Sequence, residues 1–366
     1  MSRNTLLLAL LLALPRAARA ADAAPAVPTP GEAGKKALSV VAAHLKDADP
    51  EIRAEAAHVL GLAGNPAALG VLRRMLRDPN NYVRIAAARA MWELGSTEGL
   101  KPLYAIINTP PAGQASKSPL DELKKISMNK AREKGVETLA EMKREKAAET
   151  LERLKDDDSG IVRDAAAREL ARLGRTEELE QFVDALGSED EAMRYEGAAA
   201  LGRICAPGGA ARVAKLLEEE KSVRVRSAAV EALGCAPDKE SASALLLKLA
   251  GDENPTIRFR AVSGLAGLRA EAVRGRLAAI AGETADIRLK IAAYKGIMLA
   301  GGKGDIAVPE RGAEAVSPEV RTEALELLRS FPESEALPLL ARALDDENVR
   351  VELAAALQII TRFSRK

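Results

Sequence analysis

A basic residue recurs at near-constant spacing along this chain, at Arg53, Arg84, Arg163, Arg194, Arg226, Arg258, Lys290, Arg321 and Arg350. Successive gaps are 31, 79, 31, 32, 32, 32, 31 and 29 residues. A fixed period of this size marks a stacked array, in which one unit cannot bury its apolar face alone and neighbours bury a continuous core. Just before each anchor stands an apolar residue: Ile52, Val83, Val162, Met193, Val225, Ile257, Leu289, Val320 or Val349. Seven residues after it stands another, from Leu60 and Met91 to Leu328 and Leu357. Three after it the residue is small in eight copies, from Ala56 to Ala324, and Leu353 breaks the rule in the ninth. Apolar at −1, small at +3 and apolar at +7 trace one helix face. The small residues let another helix approach closely.

Between these motif helices runs a second apolar helical pattern, clear in residues 66–76, 178–186 and 335–344, with Gly and Pro at the joints, as in Gly64-Asn65-Pro66. Each unit is therefore a helical hairpin. The predicted fold is all-α, a right-handed α-solenoid of nine recognisable hairpins.

The pattern Asp-x5-Arg-x2-Ala-Ala-x-Ala-Leu-Gly resembles the HEAT-repeat family, and its short HEAT-like variant of the phycobilisome-lyase type. Asp47/Arg53, Asp78/Arg84, Asp157/Arg163 and Asp252/Arg258 keep the acid six residues before the base, and Glu220/Arg226 is a conservative version. Ser188, Thr284, Ala315 and Leu344 replace it elsewhere. The resemblance covers roughly residues 35–366. It implies a structural Asp–Arg ladder, with acids in the inter-helix turns such as Asp156-Asp157-Asp158 and Asp345-Asp346 capping the next helix and binding its Arg anchor. It also implies that the motif helices line the concave face. It says almost nothing of function, because such arrays serve unrelated roles.

Residues 1–20 read as a signal peptide, with Arg3, an apolar run over 5–14 and Ala18-Arg19-Ala20 before the cleavage point. The apolar run is too short to span a bilayer, and the expected location is periplasmic or secreted. Cleavage would remove Arg3, Arg16 and Arg19, leaving 51 basic against 53 acidic residues. That balance offers no nucleic-acid surface. Residues 21–34 read as a Pro/Ala-rich linker. The 79-residue gap between Arg84 and Arg163 holds a loop over 108–118 and a charged helical region over 119–155, with Gly135 as its expected break. Two readings stay open: a degenerate tenth repeat, or a projecting helical insertion at about 108–138. Residues 301–310 lack the spacing of a phosphate-binding loop and read as a shortened first helix.

Little here supports chemistry. There are two histidines, His44 and His58, on different helices and neither followed by Glu. HEAT-like deoxyhypusine hydroxylases bind iron through several His-Glu pairs, so that activity is not expected, nor is a metal site or any cofactor. No catalytic residue is assigned. Cys205 and Cys235 each open a Cys-Ala-Pro loop after consecutive motif helices. Motif helices about 8–10 Å apart and a disulfide limit of about 7 Å between Cα atoms leave both a bridge and two buried thiols open.

Positions +1, +2 and +5 after each anchor point away from the stack. They supply the candidate partner-binding residues Arg89, Arg168, Tyr195, Glu196, Glu231, Phe259, Arg260 and Lys295, since exposed aromatics and arginines are the usual interface anchors. The competing reading folds them onto neighbouring units. The expected function is a monomeric, non-catalytic scaffold of the cell envelope with a protein partner on its concave face. The alternatives are a lyase-type protein acting on a chromophore and an accessory subunit docked through the insertion.

Overall fold

The computed structural model describes residues 28–109, 118–205 and 208–363. The expected signal peptide lies outside them. The described residues contain twenty α-helices and no strand. In chain order they pair as α1 (Pro30–His44) with α2 (Pro50–Ala63), α3 (Leu69–Met75) with α4 (Asn81–Glu93), α5 (Leu100–Ile107) with α6 (Pro119–Lys143), α7 (Ala148–Leu154) with α8 (Gly160–Arg172) and α9 (Glu180–Ala185) with α10 (Glu191–Ile204). Then come α11 (Gly209–Glu219) with α12 (Val223–Leu233), α13 (Lys239–Leu249) with α14 (Pro255–Leu268), α15 (Arg274–Glu283) with α16 (Ile287–Leu299), α17 (Ala307–Gly312) with α18 (Pro318–Leu327) and α19 (Glu333–Ala343) with α20 (Val349–Arg362). The even-numbered helices carry the motif.

Most motif helices start where their sequence supplies a cap. Four residues before the anchor, Asp49, Asn80, Asp190, Ser222, Asn254, Asp286 and Ser317 accept a hydrogen bond from the first turn. Such a cap contributes about 1 kcal/mol. The expected linker is shorter than its composition implied. Thr29 and Glu32 form a reciprocal capping box, so Pro30 already sits in the first turn of α1.

The cap rule corrects two registers. In α20 the cap is Asn348, which puts the anchor at Glu352 rather than Arg350. The small residue at +3 is then Ala355 and the apolar one at +7 is Ile359, both fully buried. Leu353 breaks no rule, and the acid at −6 is Asp346 rather than a missing one at Leu344. In α6 the anchor is Arg132, with Ala131, Gly135 and Leu139 in the −1, +3 and +7 columns, all three buried. Gly135 is not a break: it lies within one continuous helix, and a Cβ there would meet Ile107 at 2.9 Å. Residues 129–143 thus belong to a tenth unit. The expected insertion contracts to the first turns of α6, where Leu120, Leu123 and Ile126 are exposed. Met128 stands at the cap position and Ile126 at that of the acid. With no cap there, the helix runs back to Ser118.

The ladder also differs from its expected form. While Arg132 donates to the Ile107 oxygen of α5, an arginine anchor such as Arg53 or Arg321 donates to the backbone oxygen six residues earlier in its own unit, at Asp47 and Ala315. Its other nitrogens reach the carboxylate of the following unit: Arg53 to Asp78, Arg132 to Asp157, Arg194 to Glu220, Arg226 to Asp252 and Arg321 to Asp346. The acid therefore binds the arginine of the unit before it. Where the following acid is lost, as at Ser188, the tie is absent: Arg163 keeps only its bond to the Asp157 carbonyl.

Motif helices pack on one another at every step, while the first helices pack on motif helices and barely on each other, apart from α11 and α13. The motif helices are thus the crowded inner layer. The succession does not end at α20, because α20 packs on both α1 and α2. Ala37, Val41 and Ala56 share one core with Leu340, Ala355 and Ile359. Ten inner helices among the described residues form a closed ring. A regular ring of ten helices about 9 Å apart leaves a channel about 18 Å across once helix half-widths are removed.

At the seam Lys36 pairs with Asp345, and Arg350 with Glu51 at 2.6 Å. Glu352, an acid where the other units have a base, faces Asp47 of the next unit through His44, whose Nε2 lies 3.0 Å from Glu352 and Nδ1 3.3 Å from Asp47.

Arg132 is 2% exposed and its only carboxylate partner among the described residues is Asp157. Removing one member of a buried pair costs about 3–5 kcal/mol, because the other charge stays buried. Arg132→Ala is expected to lose about 3 kcal/mol in urea unfolding, and Arg132→Ala with Asp157→Ala together less than the sum of the single changes. Additive losses below about 1 kcal/mol each would contradict the inter-unit tie.

Candidate functional site: the inner face of the ring

The expected partner-binding residues do lie on motif helices, but most of them are engaged with neighbouring helices. Arg89 of α4 reaches Glu93 at 3.2 Å and Glu141 of α6 at 2.8 Å. Arg168 of α8 is 4% exposed and bonds Glu137 and Glu133 of α6 at 2.7 and 3.3 Å. Glu231 of α12 pairs with Arg260 of α14 at 3.3 Å, and Lys295 of α16 with Glu326 of α18 at 2.7 Å. The Tyr195 ring lies under Arg224, 4.0 Å from guanidinium to centroid. Phe259 lies likewise under Arg288 at 4.1 Å, and Arg288 bonds Glu323 at 2.8 Å. Of the eight, Glu196 alone is exposed with no hydrogen bond or ion pair.

These contacts form a belt that ties adjacent inner helices. Exposed ion pairs contribute about 0–1 kcal/mol each, so the belt sets orientation more than stability. Its most enclosed part is the α6–α8–α10 sector. Burial pushes the Asp164 carboxyl up, with Arg163 and Arg168 opposing and Glu196 reinforcing the rise. Burial also pushes Glu169 up, against the pull of Arg172. These shifts come from desolvation within a structural network.

Between the belt contacts the inner face opens into two apolar-floored hollows that sequence reading did not find. One, of about 390 Å³, lies between α2 and α4. Ile52, Ala54, Ile85 and Ala86 line it, with Glu55, His58 and Tyr82 beside them. The other, of about 340 Å³, lies between α14 and α16, lined by Phe259, Ala266, Ile291 and Ala292. A larger hollow of about 730 Å³ separates the outer helices α9 and α11. In the +1 and +2 columns of these units Ala54, Ile85, Ala86, Ile291 and Ala292 are small or aliphatic, but Glu55, Phe259 and Arg260 stand there too, so the columns alone do not single the hollows out.

No group of His, Cys, Asp and Glu among the described residues could hold a metal ion. His44 is in the seam and His58 in the first hollow. No described helix is long and apolar enough to cross a membrane. Cys205 and Cys235 are joined in a disulfide, with Cα atoms 5.4 Å apart. That separation is below a normal helix-packing distance because the small residues allow it: Gly202 of α10 lies against Ala232 of α12, where an added Cβ would meet its Cα at 3.3 Å. The bridge joins the fifth unit to the sixth, halfway round the ring from the seam.

A sequence profile described as HEAT repeats matches residues 38–118, 147–234 and 210–298, more than half of the chain. The chain belongs to the HEAT-repeat family. The HEAT profile passes over residues 119–146, where α6 lacks the cap and the acid. No curated protein matches the sequence. Among solved HEAT-like structures, Kap121p bound to Nup53p shares 14% identity over 90% of this chain with a TM-score of 0.37, and the chain spans 42% of its length. The CpcE–CpcF complex of phycocyanin lyase from Nostoc shares 20% identity, covering 83% of this chain and 95% of that one, with a TM-score of 0.33. The YibA protein of E. coli shares 16% identity over 81% of this chain and 95% of its own, with a TM-score of 0.28.

The disulfide closes a segment 30 residues long, for which chain entropy gives about 3–4 kcal/mol. Cys235→Ser is expected to lower unfolding stability by that order in urea titration, and a thiol count on the unreduced protein should find none. Two reactive thiols in the folded, unreduced chain would contradict the bridge.

Proposed function

We propose that this HEAT-repeat protein is a non-catalytic scaffold of the cell envelope, holding a protein partner against the inner face of its closed ring. One observation carries the reading. The inner helices close on one another all the way round, and a regular ring of ten helices about 9 Å apart would leave about 18 Å, room for one α-helix of about 10–12 Å diameter. The inner helices also present apolar hollows of about 390 and 340 Å³ toward that space. Hollows of this kind take the buried anchors that dominate binding energy, while the paired charges around them form the polar rim. The envelope assignment rests on the signal-like residues 1–20. Because the belt pairs already occupy Arg89, Arg168, Glu231, Arg260 and Lys295, the floor of the hollows supplies the affinity and the belt supplies the shape.

The test is positional. A photo-cross-linking residue is placed at Ser263, beside the second hollow, or at Ala244, exposed on the outer helix α13. Each mature protein is then irradiated in its own envelope fraction. A discrete partner band from Ser263 and none from Ala244 is expected. Bands from Ala244 alone would contradict an inner-face scaffold.

A further inference from the structure

The hollow between α2 and α4 has a chemistry of its own. Its rim cations are all satisfied within the chain: Arg89 by Glu93 and Glu141, Lys134 by Glu137, and Arg350 by Glu51. Glu55 is exposed and makes no hydrogen bond or ion pair among the described residues, and His58 is likewise unengaged among them. Tyr82, 38% exposed, lines the same hollow. An apolar floor, one unpaired carboxylate and an accessible aromatic ring therefore converge on about 390 Å³.

We propose that this hollow is a binding site for a basic side chain, arginine or lysine, of a polypeptide partner. The proposal rests on the scaffold reading above and names the chemistry of one contact within it. The methylene stem of such a side chain packs on Ile85, Ala86 and Ala54, since arginine and lysine bury their stems while the head stays polar. The cationic head meets Glu55 in a charge-assisted bond and the Tyr82 ring in a cation–π contact. An acidic side chain meets no free cation here and is repelled by Glu55. A purely apolar one strips water from Glu55 with nothing in exchange. The site also adjoins the seam, because Glu51 on its rim is the residue that holds Arg350 of α20.

The probes are two fluorescein-labelled Ala/Leu helical peptides, one with Arg and one with Glu at every fourth position. Binding to the full mature chain is read by fluorescence anisotropy. The Arg peptide is expected to bind, with the Glu peptide at least ten-fold weaker. Loss of a charged hydrogen-bond partner is expected to weaken the Arg peptide about ten-fold in Glu55→Gln. Ala86→Trp, which fills the floor, should remove binding with the circular dichroism unchanged; should that variant misfold, Glu55→Gln, at an exposed position, decides alone. Equal binding of the two peptides, or Arg-peptide affinity unchanged in Glu55→Gln, overturns the proposal. So does failure of the Arg peptide to bind. In that case persistent cross-linking from Ser263 leaves the scaffold reading standing, while its loss removes both.

Discussion

The bond between an anchor arginine and the carboxylate of the following unit is the interaction on which the rest of the ring depends. Arg53–Asp78, Arg132–Asp157 and Arg321–Asp346 are each formed by side chains that are largely buried. Net stability is not its main contribution, since a buried ion pair can often be exchanged for apolar residues at little cost. What it fixes is register. The same guanidinium reaches a backbone oxygen behind it and a carboxylate ahead of it, so two hairpins meet in only one way. Its chemistry also shows in the acids: burial raises the Asp78 carboxyl, and Arg53 and the Asn80 amide outweigh that and hold it below its ordinary range. Burial raises Asp157 in the same way, and Arg132 with the Ser159 amide outweighs it. Stability comes from the apolar face that correct register brings together, alanine on alanine and glycine on glycine, at close helix spacing.

Closure follows from repeating one geometry ten times. In an open solenoid the terminal units need polar outer faces. Here the last helix carries Ile359, Ile360 and Phe363, all buried, because α1 covers it. The first and last units cap one another. The seam keeps the ladder in altered form, with Glu352 in place of an arginine and His44 set between it and Asp47. Halfway round, the Cys205–Cys235 bridge makes one joint covalent. The ring thus has a polar, non-covalent joint opposite a stapled one.

Much of this was legible in the residues. The period, the helix faces and the family all follow from the −1, +3 and +7 columns, because those columns are set by helix packing and tolerate little. The tenth unit was hidden because α6 keeps that face but has Met128 for its cap and Ile126 for its acid. The last register was misread because Arg350 imitates an anchor two residues early. Direction within the ladder, and the closure itself, could not be read from spacing. A residue 25 positions away and one six positions away are equally plausible partners until helix geometry chooses. Curvature is a sum of small angles that no single residue encodes. The candidate interface residues lie on the inner layer, but their partners are 29 or more residues away in most cases, as with Glu231–Arg260 at 29 and Lys295–Glu326 at 31. The hollows form between helices about one repeat apart and so depend on helix geometry, although Arg89, Phe259 and Lys295 in their linings were already among the candidates.

The central claim is closure, and a distance across the seam tests it most directly. Spin labels at positions 36 and 345, whose side chains pair in the ring, can be read by double electron–electron resonance on the unreduced protein. A closed ring predicts one narrow distribution at about 20 Å, allowing for label length. An open array of ten units spaced about 9 Å apart would separate the same labels by tens of ångströms more. A single long distance in the native protein would contradict the ring, and with it the enclosed channel on which the functional reading stands.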